Sequence, residues 1–316
     1  MHSPGLLTEQ ALTSTLSIVQ PKLDANKTDL FFLIAGAAIL GFSPVLVNVA
    51  SVGPAIAGFY RVLIGGSILL LIAVIKREVL WTGWPAFRMA ALAGLFFSLD
   101  LTLWHRSIDY VGPGLATILG NFQVFFLALF GVLFIGEKIN WKFVLALPLA
   151  MLGIVMIVWG EWQALGSDYK TGVFLGLCTA VLYACFVLTL RQSHTLPNPL
   201  SPMANIIVVS GITLVITGLE ALWQGQSFAL PDLRTGSALV GYAIVGQVLG
   251  WVWITRGLRS TPASLAGLIL LLQPMLAFNW DIVFFDRPTD ALDFVGAALA
   301  LGGIYLGTRG RTRPAP

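Results

Sequence analysis

The chain has 316 residues, of which 57% are hydrophobic and only 10% are charged. A soluble domain carries about 25% charged residues because its surface must be wetted, so this composition excludes a soluble globular protein and indicates an integral membrane protein. We attribute the formal net charge of +3 to cationic loops facing anionic lipid, and we do not expect nucleic acid as a partner.

Ten apolar segments follow one another along the chain. A spanning helix needs about 20 mostly apolar residues, and seven segments meet this length without an internal charge, two contain a charge (Arg61 or Asp100), and the last is shorter. We predict helices at Leu30–Ala50, Pro54–Ile75, Arg88–Arg106, Pro113–Gly136, Phe143–Gly160, Thr171–Leu190, Ser201–Leu219, Thr235–Thr255, Ser260–Trp280 and Phe294–Thr308.

The distribution of charge predicts the topology. Residues 1–29 are polar and have no signal-peptide pattern, so we predict a cytoplasmic N-terminal tail. Lys and Arg are concentrated in the connections on the same side as this tail, and positive charge accumulates in cytoplasmic loops. Both termini are therefore predicted to be cytoplasmic.

The two halves of the chain are similar in sequence. A shift of 150 positions brings residues of the first half onto residues of the second without a gap: Arg106 onto Arg256, Gln123 onto Gln273, and Gly153-Ile154 onto Gly303-Ile304. Each repeat, at residues 30–160 and 171–310, would hold five helices, so the second enters the membrane from the opposite side. We predict an all-α membrane protein of two inverted five-helix repeats. This arrangement is typical of transporters with a substrate site near the midplane.

Short motifs recur in a fixed order: Gly41 onward, Phe59-Tyr60-Arg61, Ile135-Gly136-Glu137, Gly153-Ile154, Gln273-Pro274 and Gly303-Ile304. Over nearly all of residues 30–310 they resemble the drug/metabolite transporter superfamily, specifically its ten-helix EamA-type branch. The chain departs from the family at Asp286-Arg287, where Gly-Glu is common. The resemblance implies a bacterial inner-membrane exporter of amino acids or small metabolites, with aromatic and neutral amino-acid exporters as its nearest analogues.

Two charges fall inside predicted helices. Arg61 and Asp100 each lie about two helical turns from the outer end of their helix, which places them at similar depth. One interpretation is a structural ion pair between helices two and three, since breaking such a pair destabilises a protein. The other is functional: Arg61 binds a substrate carboxylate, or Asp100 titrates during the transport cycle.

Uncharged polar and aromatic residues near mid-depth are the other candidates for substrate binding. Amides can hold a zwitterion without being charged, although hydrogen bonding between helices is the alternative. Aromatic side chains could form an apolar pocket, and a serine precedes a helix-breaking proline. The candidates are Ser43, Asn121, Gln123, Tyr183, Gln247, Trp251 and Gln273.

Pro44, Pro148 and Pro274 interrupt predicted helices one, five and nine. A proline inside a helix removes a hydrogen bond and bends the helix. We therefore predict hinges at these three positions.

Enzyme and metal motifs are missing from the sequence. It has no Walker A or HExxH pattern, and we predict no catalytic residue, cofactor or metal. The leading hypothesis is a secondary carrier that exports neutral, aromatic or hydrophobic amino acids and related metabolites by alternating access. The alternatives are a lipophilic-cation exporter of the same fold with its site built on Asp100 or Asp281, a channel, or an intramembrane enzyme. The sequence leaves open the choice between uniport and proton antiport, and the oligomeric state, with a monomer allowed.

Overall fold

The structure is a computed structural model that describes residues 26–158, 168–285 and 289–309. All regular secondary structure in these ranges is helical, as predicted. Nearly all of the predicted N-terminal tail lies outside the described residues, and so does Asp286-Arg287.

The described ranges contain ten helical segments. Eight include a stretch long and apolar enough to cross a membrane, while the apolar parts of the fifth and tenth are shorter, at Trp141–Met156 and Ala291–Gly307. The segments are α1 (Lys27–Leu40 with Ser43–Val49), α2 (Pro54–Ile75), α3 (Trp84–Val111), α4 (Ala116–Ile135), α5 (Trp141–Val158), α6 (Tyr169–Ser193), α7 (Pro202–Trp223), α8 (Leu233–Gly257), α9 (Ala263–Leu270 with Leu272–Phe285) and α10 (Ala291–Arg309).

The connection between α3 and α4 is itself helical, so that helical backbone runs without a break over Trp84–Asn121. A straight helix of these 38 residues would be about 57 Å long. However, a Cβ atom on Gly120 would lie only 3.9 Å from Trp104. The chain therefore folds back on itself between these two residues, and α3 and α4 are neighbours.

Three helices are interrupted within the bundle. α1 stops at residues 41–42 and resumes with Pro44 in its first turn, α4 is interrupted at Phe122, and α9 is interrupted at Leu271, three residues before Pro274. Proline has no N–H to donate. Pro44 and Pro274 therefore lie just after the interruptions, in the turn where each helix begins again. The interruptions in α1 and α9 lie at Pro44 and near Pro274, two of the positions where we predict hinges.

Two further helices depart from regular α-helical geometry or contain a proline. The middle of α8, Ala243–Trp251, is π-helical, a feature that is frequent at functional sites. Pro148 lies inside α5 without ending it. Its role as a hinge remains a prediction.

Small residues allow α5 and α10 to pack at backbone distance. A Cβ atom on Gly303 would lie 2.7 Å from the backbone nitrogen of Ala150, and a Cβ atom on Gly153 would collide with the backbone of Ala300. Neither helix can therefore carry a side chain at these positions without separating from the other. Close packing of small residues of this kind stabilises helix pairs in membranes, where lipid supplies no hydrophobic drive.

Hydrogen bonds join helix ends at one side of the bundle. The backbone N–H of Asn26, at the start of α1, donates to Ser260 Oγ after α8 (3.2 Å). The N–H of Ala263, at the start of α9, donates to Glu137 after α4 (2.6 Å). We call this the terminal side, because α1 begins there, and we call the opposite side the far side.

The half of the bundle next to the terminal side is filled by apolar side chains. These residues come from α1 to α4 and from α6 to α9, and they are almost completely inaccessible to solvent. They include Leu33, Leu127, Phe186, Val187, Leu190, Ile254, Leu258, Leu265 and Ile269. This core closes the terminal side of the protein.

Candidate functional site

A cavity of about 650 Å³ occupies the far half of the bundle. Its volume falls within the roughly 300–1,000 Å³ of small-molecule sites. The wall reaches Asn48 near the end of α1 and Ile108 near the end of α3, and inward it reaches Trp251. The cavity therefore extends from the middle of the protein towards the far side.

Aromatic rings form the inner wall of this cavity. The Trp251 indole packs edge-on against Phe97 (centroids 5.5 Å apart) and Tyr183 (6.1 Å), and all three residues line the cavity together with Trp104 and Phe278. Aromatic rings offer broad apolar surfaces with a polar edge on Tyr and Trp. The wall is therefore suited to a ligand with an apolar or aromatic side chain.

Arg61 is held in the cavity wall by residues of α8. Its Nε donates to Gln247 Oε1 (3.1 Å), and its Nη1 donates to the Tyr242 hydroxyl (3.0 Å). The Gln247 amide nitrogen in turn donates to Ser210 Oγ (2.8 Å). The guanidinium also lies 5.3 Å from the centre of the Phe97 ring. Arg61 is only 5% exposed and is fixed in orientation by these contacts.

A glycine brings two polar groups close together beside α8. A Cβ atom on Gly246 would lie 3.2 Å from Arg61 Nε and 3.5 Å from Ser43 Oγ, so both side chains reach the helix at the same point. Arg61 Nη2 and Ser43 Oγ are buried, and neither has a hydrogen-bond partner within the described ranges. Both atoms therefore have unused hydrogen-bonding capacity, and their residues line the cavity.

Asp100 lines the same cavity as Arg61 but does not pair with it. The side chain is 8% exposed, and no nitrogen–oxygen distance between the two residues is within 4.0 Å. The direct ion pair, one of the two interpretations that the sequence left open, is therefore not formed in this structure. The physical reason is that Gln247 and Tyr242 hold the guanidinium towards α8.

Most of the residues predicted to bind substrate lie at the cavity, but two do not. Gln247 and Gln123 are fully buried and contribute no surface to the wall. Gln247 is occupied by Arg61 and Ser210, and Gln123 Nε2 donates to the Gly267 carbonyl (3.4 Å). We therefore do not retain these two amides as direct contacts. The cavity is lined by Ser43, Asn121, Tyr183, Trp251 and Gln273.

The two remaining predicted amides are partly occupied by protein groups. Asn121 Nδ2 donates to the Thr117 carbonyl (2.8 Å), and Gln273 Nε2 donates to the Tyr183 hydroxyl (3.3 Å). Pro44 and Pro274 also line the cavity, whereas Pro148 does not. Arg61 and Asp100 are both part of the cavity wall, which therefore carries two charged side chains.

An acidic side chain holds two helix ends together at the terminal side. Glu137, just after α4, accepts hydrogen bonds from the Ala263 N–H (2.6 Å), the Ser264 N–H (3.1 Å) and Ser264 Oγ (2.7 Å) at the start of α9. A carboxylate satisfies the free N–H groups and the positive end of a helix N-terminus. α4 and α9 are therefore tied at this point.

Arg191, near the end of α6, completes this arrangement. Its Nη2 lies 3.5 Å from Glu137 Oε1, and its Nε donates to the Thr261 carbonyl (2.9 Å). It is the one ion pair in the part of the chain that the structure describes. We call these residues (Glu137, Arg191, Thr261, Ala263 and Ser264) the latch, which closes the terminal side over the apolar core.

Several of these residues were not identified from the sequence. Tyr242 was not singled out, although its place one turn before Gly246 is a usable signal. Arg191 was not singled out either. The same holds for His105, which is half-buried and lines the cavity.

A family model matches both halves of the chain. Residues 27–159 and 170–309 both match the EamA-like transporter family. The chain is 26% identical to a pseudopaline exporter of Pseudomonas aeruginosa UCBPP-PA14, over 76% of this chain and 81% of that protein. It is also 26% identical to a probable amino-acid metabolite efflux pump of Escherichia coli K12, over 62% and 68%. A crystal structure with 17% identity has a similar fold, with a TM-score of 0.75, covering 89% of this chain and 97% of that one.

Proposed function

The chain belongs to the EamA-like transporter family, and on that premise we propose that it is a secondary exporter of neutral amino acids with aromatic or hydrophobic side chains and of related small metabolites. It is a multi-pass membrane protein with eight helices long and apolar enough to cross a membrane among the described residues. The observation that carries the proposal is the aromatic-lined cavity, closed at the terminal side by the latch. The relatives named as exporters support the same direction of transport.

The proposed mechanism is alternating access. Substrate released from the cavity leaves at the far side, while the latch and the apolar core keep the terminal side closed. Loading requires the opposite arrangement: Glu137 releases the start of α9, and the far half of the bundle closes over the ligand. We place the protein in the inner membrane of the cell with both termini in the cytoplasm. In this orientation the sequence of states exports the substrate.

We further propose that the two halves, residues 30–160 and 171–310, are inverted five-helix repeats. The family match to residues 27–159 and again to 170–309 supports this. The packing of α5 on α10 supports it as well, because Gly153 meets Ala300 and Gly303 meets Ala150, and both pairs are related by the same 150-residue shift. Inverted repeats allow one half to adopt the conformation of the other, which exposes a central site alternately.

Counterflow in proteoliposomes tests this proposal. Vesicles preloaded with unlabelled phenylalanine should accumulate labelled phenylalanine transiently and saturably, whereas vesicles without protein should not. A channel would equilibrate the label without overshoot. Vesicles that show no counterflow with phenylalanine, methionine or threonine would overturn the proposed function.

A second candidate is export of lipophilic cations. It is favoured by Asp100, which faces an aromatic cavity without an ion-pair or hydrogen-bond partner for its carboxyl group in the described part of the chain. A cation exporter should show counterflow with a tetraphenylphosphonium-type cation and none with amino acids. Arg61 in the same wall opposes this reading, because it repels a cation.

A further inference from the structure

We infer that Arg61 and Ser43 form a subsite for a carboxylate group, and that Asp100 binds the amino group of the same ligand, so that the cavity selects free α-amino acids. This inference rests on the proposed function in taking the cavity as the site of transport. It adds which groups of the substrate are recognised and by which atoms.

The first step is the state of the Arg61 guanidinium. Two of its three nitrogens are held by Gln247 and Tyr242, while Nη2 is buried and has no partner. A buried polar group without a partner is costly, and a charged one more so. Because the guanidinium is planar and fixed by its other bonds, its free edge offers a pre-oriented donor to an oxyanion.

The second step is the neighbouring hydroxyl. Ser43 Oγ is 8% exposed at the residue level, has no partner, and reaches the same point beside Gly246 as Arg61 Nε. A carboxylate has two acceptor oxygens, and the guanidinium and the hydroxyl together supply two donors. No carboxylate of the described residues lies within 4.0 Å of Arg61, so the protein itself provides no anion for this position.

The third step is the charge balance of the cavity. Arg61 and Asp100 contribute opposite charges to one wall that is otherwise largely apolar. A zwitterion with no net charge matches this pair, whereas a simple cation or anion satisfies one member and is repelled by the other. The aromatic wall of Phe97, Tyr183 and Trp251 then contacts the ligand side chain.

Four probes that share a phenyl ring separate these contributions. Calorimetric titration of the purified protein would compare phenylalanine, phenylalaninamide, 3-phenylpropionate and phenethylamine. We expect phenylalanine to bind at least about ten-fold more tightly than the amide or the amine, because a hydrogen bond to a charged group is stronger than one to a neutral group. 3-Phenylpropionate should be intermediate, since it keeps the carboxylate but leaves Asp100 without a partner.

Two variants test the subsite directly. Ser43→Ala removes a hydroxyl that contacts no other polar group, so it should leave thermal stability unchanged. It should lower the affinity for phenylalanine and for 3-phenylpropionate about ten-fold, while the affinity for phenethylamine stays unchanged. Arg61→Lys keeps the positive charge but loses the planar guanidinium with its paired N–H donors. It should lower the affinity for the two carboxylate ligands by more than Ser43→Ala does, and leave the affinity for phenethylamine unchanged. Matched controls are Ser237→Ala and Arg106→Lys, two exposed positions.

The outcomes distinguish this inference from the proposed function. Equal affinity for phenylalanine and phenylalaninamide, or an unchanged phenylalanine affinity in Ser43→Ala, would overturn the carboxylate subsite even if counterflow of amino acids is robust. Carboxylate-dependent binding without counterflow would support the subsite and overturn the carrier. Binding of none of the four probes would overturn the subsite.

Discussion

Substitution of Glu137 by Gln is the most informative perturbation of the latch. The carboxylate is 7% exposed, accepts three hydrogen bonds from the start of α9, and pairs with Arg191 at 3.5 Å. The side-chain amide of the variant keeps one acceptor oxygen, but its NH₂ group faces the hydrogen-bond donors at the start of α9. The substitution also leaves Arg191 without its counter-ion. Removing one member of a buried pair costs about 3–5 kcal/mol.

This cost applies only to the state with a closed terminal side, because in the open state water solvates Arg191. A loss of about 3 kcal/mol changes the ratio of the two states roughly 150-fold. Glu137→Gln should therefore shift the protein towards a conformation open at the terminal side.

Thiol labelling at two positions measures this shift, in a background with Cys178 and Cys185 replaced by Ala. Ala266→Cys reports the terminal side, because Ala266 is fully buried in α9 near the latch. Gly58→Cys reports the cavity, because a side chain there meets nothing within 4 Å. In Glu137→Gln we expect faster labelling at 266 and slower labelling at 58. Glu78→Gln is the matched control. Unchanged rates at both positions in Glu137→Gln would refute the role of the latch.

Three further predictions follow from the fold and the site. Gln247→Ala leaves Arg61 Nε unpaired and should destabilise the protein by about 1–3 kcal/mol, as measured by thermal unfolding. The same variant should lower the affinity for phenylalanine but not for phenethylamine. Gly303→Ala should lower thermal stability, because its Cβ atom would lie 2.7 Å from the Ala150 nitrogen, whereas Gly302→Ala meets nothing within 4 Å and should not; equal effects would contradict the packing. Burial, with help from Arg259, lowers the pKa of His194 to about 4. The unfolded chain then binds the proton more readily, so the free energy of unfolding should fall as the pH drops from about 6.5 to about 4, and His194→Gln should flatten that part of the curve.

The sequence predicted the helices well because a membrane span has a clear physical signature. A continuous apolar run of about 20 residues needs no partner to be recognised, and all ten predicted runs are helical in the described ranges. It did not predict that the connection between α3 and α4 is helical, because Gly112-Pro113-Gly114 is typical of a turn.

The site was only partly predictable, for a geometric reason. Counting residues from a helix end gives the depth of a side chain but not the direction in which it points. Arg61 and Asp100 line one cavity, yet the rotation of α8 decides that Gln247 and Tyr242 bind the guanidinium. The latch was missed for the same reason, since Glu137 and Arg191 meet across 54 positions of sequence.

The measurement that tests the central claim most directly is counterflow after chemical blocking of the cavity. Gly58→Cys, in the same cysteine-free background, would be reacted with a bulky maleimide and reconstituted with phenylalanine inside the vesicles. If the cavity is the path of transport, the labelled protein should lose counterflow, excess phenylalanine should slow the labelling, and the unlabelled variant should remain active. Full labelling at position 58 with undiminished phenylalanine counterflow would contradict the account.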